Sequence, residues 1–272
     1  MHFVEYWGLN KTPFENFPDP VFYFPSTLQE EGLRQLLSGL QARERGLMIT
    51  GEIGCGKTLI SRVLVRELAK DRYDTVLLTQ PSFNDVADFV EEILCQLGIN
   101  PAGNPSDNVH LLHARLLENL GKGKATVLIV DDAQAINNAA IGAFLQQLLT
   151  SRHEGHFLLT LVVLGEPELK VKVESFMKLS QLIGIRYHLM PFNREEVGKY
   201  INHRMKVAGA SRCIFTPEAL QAVYAASSGI PRRVNTLCDK ALMVGFLAIR
   251  QQVDPGVVKR ARELMLKTWD KP

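Results

Sequence analysis

The strongest chemical signal in this 272-residue chain is a glycine-rich segment that reads Gly51-Glu52-Ile53-Gly54-Cys55-Gly56-Lys57-Thr58. It fits the phosphate-binding P-loop pattern, in which four free positions separate the first glycine from Gly-Lys-Thr. Glycines let the backbone curl so that successive N–H groups face one anion. We expect Lys57 to reach the β- and γ-phosphates of a nucleotide and the Thr58 hydroxyl to bind Mg²⁺. With Leu59 added, this segment is the predicted nucleotide-binding loop.

The residues on either side of the loop predict the elements that must position it. Residues 46–50, Gly-Leu-Met-Ile-Thr, predict a short buried strand, and residues 59–68 predict a helix. A helix N-terminus carries partial positive charge, which stabilises a bound phosphate. A strand, a glycine turn and a helix in this order favour a site for ATP with Mg²⁺ over a chance glycine turn.

Two acidic residues follow an apolar strand later in the chain. Residues 126–130, Thr-Val-Leu-Ile-Val, precede Asp131 and Asp132, which is the form of a Walker B strand. We expect Asp131 to act on the Mg²⁺ held at Thr58, directly or through water. Asp132 is the candidate for orienting the attacking water. The alternative is that both acids only cap the next helix.

The composition bounds the class of protein. Apolar residues make up 46% of the chain, charged residues 22%, and the net charge is +2, so no global basic signal for nucleic acid is present. The four cysteines form no Cys-x-x-Cys pair, which argues against a zinc site and for a reducing compartment. No apolar run of 18 residues occurs, and the N-terminus is not a signal peptide. We therefore expect a cytoplasmic protein without a membrane span.

Apolar strands alternate with helical patterns over the first two thirds of the chain. Strands are predicted at 46–50, 75–79, 126–130, 157–164 and 185–189. Helices that begin at Asn84 and at Asp107 or Asn108 fall between them. Uniformly apolar strands separated by helices indicate an α/β fold, a parallel sheet with helices on both faces.

The last part of the chain shows only helical patterns, at 193–208, 216–227, 231–249 and 254–267. The first 25 residues are rich in proline and aromatic residues, which predicts an extended arm packed on the core. We therefore divide the chain into an N-terminal arm (1–25), an α/β nucleotide-binding domain (26–191) and a small all-helical domain (192–272).

Further motifs follow one another in a characteristic order: Leu164-Gly165-Glu166-Pro167-Glu168-Leu169, Ile185-Arg186-Tyr187-His188-Leu189 and Gly229-Ile230-Pro231-Arg232-Arg233-Val234-Asn235. The arm contains Tyr6-Trp7-Gly8-Leu9, Pro13-Phe14 and Pro18-Asp19-Pro20. With the P-loop and the Asp-Asp-Ala-Gln run, this series resembles the AAA+ ATPases of the ExeA/GspA type over nearly the whole chain. That family includes secretion- and pilus-associated ATPases. It is also similar to the TnsC, MuB and IstB kinds of ATPase, which regulate transposition.

The resemblance implies roles at single positions. Glu166, where relatives often carry Gln, would be the sensor-1 residue, with a strand-end surface residue as the alternative. Arg232 would be the sensor-2 arginine that reaches the γ-phosphate, with a solvated helix residue as the alternative. The arm would lie near the adenine, with backbone groups around Phe14 contacting the base. The C-terminal helical domain would be the AAA+ lid.

Two positions depart from the family pattern. Relatives usually have Asp-Glu where this chain has Asp131-Asp132, and a small displacement of a water-positioning group can cost on the order of 100-fold in rate. Leu182 stands where relatives tend to carry a trans-acting arginine finger, which contributes roughly 10³–10⁵ in rate. Arg186 is a candidate substitute or a structural strand residue. We therefore predict tight ATP binding with slow hydrolysis.

The resemblance implies an oligomeric ATPase that acts as an assembly or remodelling switch. ATP would favour a ring or filament, and a protein of a secretion or pilus machine would be the partner. ExeA-like proteins usually continue into a transmembrane helix and a peptidoglycan-binding region. This chain ends at Lys271-Pro272 with neither, so we expect either a soluble relative or a truncated version.

Two other functions stay open. One is a DNA-binding ATPase that selects a target for a transposase through sequence-independent contacts with the backbone of double-stranded DNA. Its candidate contacts, each with ordinary solvated surface as the alternative, are Lys122, Lys124, Arg152, His153, Lys170 and Lys172. The other is a non-hydrolysing scaffold that binds nucleotide for structure alone.

Overall fold

The computed structural model describes residues 3–79 and 81–269, with side chains up to residue 266. The chain end at Lys271-Pro272 lies outside the described residues. Two compact units make up the described chain: an α/β unit of residues 30–53 and 57–189, and a helical unit of the described residues up to 29, residues 54–56 and residues from 190 onward. The three-part division made from the sequence stays a prediction.

Strands and helices alternate along the α/β unit, as the sequence predicts. Within the described residues the strands are β1 (Gly46–Gly51), β2 (Tyr73–Leu78), β3 (Ala125–Val130), β4 (Arg152–His153), β5 (His156–Phe157), β6 (Leu159–Gly165) and β7 (Ile183–Leu189). The helices are α1 (Phe3–Tyr6), α2 (Thr27–Gln41), α3 (Lys57–Glu67), α4 (Val86–Gln96), α5 (Pro105–Gly121), α6 (Ala139–Thr150), α7 (Glu168–Ser175), α8 (Met177–Leu182), α9 (Arg194–Val207), α10 (Pro217–Ser227), α11 (Pro231–Leu247) and α12 (Pro255–Trp269).

Five strands form one parallel sheet in the order β2-β3-β6-β1-β7. In this register Thr50 pairs with Gly165, and Val130 pairs with Val163. The carboxyl ends of β1, β3 and β6 therefore lie at one edge of the sheet. Residues that follow these three strands meet there, although they are far apart in sequence.

Helices cover both faces of the sheet. Successive side chains of a strand point to opposite faces, so a strand can pack against helices on both sides. Met48, Leu128 and Val163 belong to an apolar cluster with buried residues of α4, α5, α6 and α8. Helix α2 packs against the other face, where Gly39 lies close to the side chain of Leu47. The predicted α/β class, a P-loop sheet flanked by helices with a small helical domain after it, is confirmed.

Two predicted helix starts are wrong. Asp85, not Asn84, caps α4 through the Asp88 N–H, while Asn84 bonds the Asp88 carboxylate. Helix α5 begins at Pro105 after the cap Asn104, rather than at Asp107 or Asn108. The Asn108 side chain is buried and its Oδ1 accepts from the Ala102 N–H at 2.6 Å, so this residue serves packing instead of capping.

The fourth predicted strand begins two residues later than predicted, at Leu159. Phe157 instead pairs with Arg152 in the short β4–β5 hairpin, and its ring lies 4.1 Å from the Arg152 guanidinium carbon. Helices α7 and α8 have no counterpart in the sequence prediction. Their short apolar patterns, of 8 and 6 residues, are below the length at which periodicity identifies a helix.

The N-terminal arm packs within the helical unit. Trp7 is buried, and its indole N–H donates to the Leu242 carbonyl at 3.0 Å. The buried guanidinium of Arg204 donates to the Pro13 carbonyl at 2.5 Å and lies 4.4 Å above the Phe22 ring. A buried cation is costly unless it is paired and hydrogen-bonded, and here carbonyl oxygens and an aromatic face satisfy it.

Gly229 permits the turn that precedes α11. Its φ is +74°, and a Cβ at this position would lie 1.9 Å from the Phe192 carbonyl oxygen. Only glycine fits such a backbone contact. In the described part of the chain, no helix is both long enough and apolar enough to cross a bilayer.

Candidate nucleotide-binding site

The P-loop turns sharply between β1 and α3. Gly54 and Gly56 have φ values of +84° and +101°, and α3 begins at Lys57. Positive φ is accessible to glycine at no steric cost, which explains why these two positions carry it. The loop therefore has the turn that phosphate binding requires, and it leads directly into a helix N-terminus.

The ammonium of Lys57 folds back on the loop. Its Nζ donates to the Gly51 carbonyl at 2.8 Å and to the Glu52 carbonyl at 3.1 Å. The residue is only 6% exposed. These carbonyl bonds hold the Lys57 ammonium within the loop, where it can meet an anion.

Asp131 stands directly after β3. Its main-chain N–H donates to the Leu78 carbonyl at 2.8 Å, and the residue is 1% exposed. The Thr58 hydroxyl lies beside its carboxylate. Burial raises the pKa of Asp131, repulsion from Asp132 raises it further, and the Thr58 hydrogen bond lowers it. A nearby cation would stabilise the charged form of a buried carboxylate whose pKa is raised by burial.

The oxygens of Thr58 and Asp131 suit a magnesium ion. A hydroxyl and a carboxylate are hard oxygen ligands, and Mg²⁺ in proteins is held by one or two such groups together with substrate phosphates and waters. Elsewhere in the described residues, no group of three His, Cys, Asp or Glu side chains could hold a metal ion.

Asp132 adopts the left-handed backbone conformation, with φ of 52°. Its N–H donates to Asp131 Oδ1 at 3.1 Å, and its side chain caps no helix. Helix α6 is capped by Asn138 instead. The alternative that the two acids only cap the next helix is therefore wrong.

Glu166 lies at the end of β6, beside β3 in the sheet. Its main-chain N–H donates to Gln134 Oε1 at 3.2 Å, and its side chain is half-buried. The position is at the same strand edge as Asp131. A sensor-1 role for Glu166 stays a prediction.

Arg232 is the second residue of α11 and lies beside P-loop residues that belong to the same unit. Its main-chain N–H donates to the Gly54 carbonyl at 3.2 Å, and a Cβ on Gly54 would lie 2.6 Å from the Arg232 Cβ. The side chain is exposed. The backbone contact fixes the start of α11 next to the loop, whereas the sensor-2 role stays a prediction.

This chain is similar in sequence to known proteins. The AAA domain family matches residues 41–172. General secretion pathway protein A of Aeromonas hydrophila is 33% identical over 264 residues, which is 95% of this chain and 48% of that protein. The chain has the AAA+ P-loop fold. It resembles the ExeA/GspA type, as the motifs indicate, and it spans about half the length of the curated relative.

Solved structures share the fold of this AAA+ protein. Cdc6p from Pyrobaculum aerophilum superposes with a TM-score of 0.72 at 19% identity, over 90% of this chain and 70% of that one. The Aeropyrum pernix ORC2 protein gives 0.69 at 15%, over 89% and 70%. The RuvB Holliday junction branch migration motor of Thermotoga maritima gives 0.60 at 15%, over 87% and 68%. At these identities the likeness shows the AAA+ fold alone.

Phe14 of this AAA+ protein lies in the core of the helical unit. It is 1% exposed and packs edge-on against Phe215, with ring centroids 6.0 Å apart. The Phe14 ring is therefore a packing group. Contact between nearby backbone groups and an adenine base stays a prediction.

The two positions considered for an arginine finger have different surroundings. Leu182 is buried in the apolar cluster of the α/β unit. Arg186 is exposed on the edge strand β7, where it donates to the Ser180 carbonyl at 2.7 Å and lies 3.5 Å from the Glu174 carboxylate. These contacts give Arg186 a local structural role.

Several of the basic residues considered for DNA contact have partners within the α/β unit. Lys122 pairs with Glu118, and Lys124 donates to the Lys70 carbonyl at 2.9 Å. The other four are placed as follows: Arg152 over the Phe157 ring, His153 4.0 Å from Glu154, Lys172 bonded to the Gln134 carbonyl, and Lys170 exposed. These contacts do not single out a basic surface.

Two glutamines near the site were not assigned a role from the sequence. Buried Gln29 donates to the Cys55 carbonyl of the P-loop at 3.3 Å. Gln134 bonds to groups that follow both β3 and β6. The Asp-Asp-Ala-Gln run contains Gln134, but a sequence pattern does not show which strand end an amide will reach.

Proposed function

We propose that this protein is an ATP-binding AAA+ ATPase that acts as an assembly or remodelling switch, of the ExeA/GspA type. The observation that carries the proposal is the placement of the Thr58 hydroxyl beside the buried Asp131 carboxylate, whose pKa it lowers, next to a P-loop with its lysine in place. Three chemically distinct parts of a nucleoside triphosphate site meet there. These are a cation for phosphates, a hydroxyl and carboxylate pair for a metal, and a helix N-terminus.

Each of these groups has a role in the proposal. Lys57 exchanges its two carbonyl partners for phosphate oxygens when ATP binds, and residues 51–59 surround the phosphates. Thr58 and Asp131 hold Mg²⁺, which when bound neutralises charge on the β- and γ-phosphates. Asp132 orients water, Glu166 serves as the sensor-1 residue, and Arg232 serves as the sensor-2 residue.

The proposed hydrolysis is slow for two reasons. The Asp132 carboxylate is one methylene shorter than the glutamate common in relatives, and a misplaced water costs up to about 100-fold in rate. Leu182 is buried and apolar, so it supplies no positive charge to a neighbouring site. Arg186 is bonded to Ser180 and Glu174, which oppose its release for such a role.

The proposed setting is secretion or pilus assembly. The support is the 33% identity with general secretion pathway protein A over most of this chain. In this proposal the partners are further copies of the chain, arranged as an ATP-dependent ring or filament, and a protein of the secretion machine. The four free cysteines accord with a cytoplasmic location.

The test is electron microscopy and sedimentation of the purified chain with a non-hydrolysable ATP analogue, with and without duplex DNA, together with steady-state phosphate release. We expect rings or filaments with nucleotide alone, no effect of DNA, and turnover well below one ATP per second. Assembly only with DNA would favour the transposition-type regulator. Nucleotide binding with neither assembly nor turnover would favour the scaffold. Turnover of many ATP per second would overturn the slow-hydrolysis proposal.

A further inference from the structure

The side chain of Gln134 joins two strand ends of the α/β unit. Its Nε2 donates to Asp132 Oδ1 at 3.4 Å, and its Oε1 accepts from the Glu166 main-chain N–H at 3.2 Å. One amide thus contacts the second Walker B acid after β3 and the backbone after β6. Both ends of the side chain are used, so rotation of the amide would break both contacts at once.

Gly165 leaves the space that Gln134 occupies. A Cβ on Gly165 would lie 2.3 Å from Gln134 Oε1, and 2.8 Å from the nearest Leu169 atom. Gly165 is not one of the glycines with positive φ in the described chain, so its backbone lies outside the left-handed region. The glycine therefore serves close approach of the amide and not an unusual backbone conformation.

The main chain of Gln134 is also held. Lys172 Nζ donates to the Gln134 carbonyl at 2.7 Å and to Asn137 Oδ1 at 2.7 Å. Burial lowers the pKa of Lys172, and both acceptors stabilise its ammonium in place. The loop after β3 is thereby tied to α7, which follows β6. Backbone and side chain of Gln134 are fixed to the same neighbouring strand–helix unit.

We propose that Gln134 is a positioning residue that sets the orientation of the Asp132 carboxylate relative to the end of β6. This inference rests on the proposed ATPase function, in which Asp132 orients the attacking water. Asp132 has a left-handed backbone and makes no helix cap, so its carboxylate direction depends on side-chain partners. Movement at Gly165-Glu166 is transmitted through one amide to the acid. ATP binding does not depend on Gln134, because its contacts are with the second acid and the β6 end.

The test compares wild type with Q134A, G165A, the double variant Q134A/G165A, and Q147A as a matched Gln-to-Ala control at an exposed position of α6. ATP affinity is measured with a fluorescent ATP analogue, turnover by phosphate release, and backbone protection by hydrogen exchange of the 163–168 segment. We expect Q134A to lower kcat by about 10-fold or more while the ATP dissociation constant changes by less than about 2-fold. G165A should reproduce this loss, because its methyl group displaces the amide.

The double variant distinguishes a positioning role of Gln134 from independent structural defects caused by the two substitutions. If Gly165 acts by making room for Gln134, Q134A/G165A should be no slower than Q134A, whereas independent structural defects would multiply. Exchange of the Glu166 amide should quicken in Q134A and not in Q147A. Unchanged kcat in Q134A, or multiplicative loss in the double variant, would overturn the inference. If the wild-type chain binds ATP but shows no turnover, the proposed hydrolysis is overturned, and with it the catalytic consequence of Gln134. In that case, unchanged exchange of the Glu166 amide in Q134A would refute the contact itself.

Discussion

The Thr58 hydroxyl lies beside the Asp131 carboxylate and lowers its pKa, although β6 separates β1 from β3 in the sheet. Thr58 belongs to the first turn of α3, which follows β1, and Asp131 is the first residue after β3. The contact is thus made across a neighbouring strand, at the edge where parallel strands present their carboxyl ends. Ligand sites of open α/β sheets occur at this edge.

Replacing Lys57 by Ala should abolish tight ATP binding. The buried ammonium is the cation placed at the P-loop, and charge-assisted bonds to phosphate are among the strongest that a side chain makes. We expect the ATP dissociation constant to rise by about 100-fold or more, measured by calorimetry or with a fluorescent analogue. The control is K178A, at an exposed position of α8. Affinity within about 2-fold of wild type in K57A would contradict the site.

Gly229→Ala should destabilise the helical unit strongly. The new methyl group would lie 1.9 Å from the Phe192 carbonyl oxygen, a backbone atom that cannot rotate away, and the φ of +74° adds strain. We expect a loss of about 3 kcal/mol or more in the free energy of unfolding, measured by urea denaturation. Gly103→Ala is the matched control, because nothing lies within 4 Å of a Cβ there. Equal stability of the two variants would refute the close approach of Gly229 to the Phe192 carbonyl in the turn before α11.

Leu182→Arg should unfold the α/β unit instead of restoring an arginine finger. Leu182 is buried in the apolar cluster, and an arginine there would lack a partner for its charge. We expect a loss of roughly 3–5 kcal/mol and little folded protein by circular dichroism. Q181R, at the exposed neighbouring position, should fold normally. Faster ATP turnover in a stably folded L182R protein would refute the buried placement.

Protonation of His203 should weaken the helical unit at mildly acidic pH. Burial lowers the pKa of His203, the Tyr23 main-chain hydrogen bond raises it, and the charges of Arg204 and Lys206 lower it. The Phe24 ring, 5.6 Å away, adds no charge. Because the unfolded chain binds this proton at a higher pH than the folded chain, stability is full above the ordinary value of 6.5 and falls as the pH drops through the folded pKa.

The measurement is the melting temperature of wild type and H203Q between pH 7.5 and 5.5. The wild-type melting temperature should fall more steeply than that of H203Q over this interval. H113Q, at an exposed position of α5, should follow wild type. Parallel curves for wild type and H203Q would contradict the role of burial.

Sequence patterns were sufficient for the class of fold, and they predict the chemistry of the site. The P-loop at 51–58 and the apolar strand before Asp131 are local signals, since loop curvature and strand burial depend on neighbouring residues. The ends of helices and strands were predicted less accurately than their type. Asn108 resembles a helix cap in sequence, yet a tertiary contact with the Ala102 N–H uses its side chain within α5.

What the sequence by itself determined is that a P-loop motif, an acidic pair after an apolar strand and a helical C-terminal region occur in this order. The tertiary structure alone decided which strand ends lie together, because strand order depends on packing of both sheet faces and not on local pattern. It placed Gln134 between Asp132 and Glu166, buried Leu182, and brought the Gly54 carbonyl to the start of α11. The Gln134–Glu166 and Gly54–Arg232 contacts join residues distant in sequence, and only the packed chain makes them neighbours.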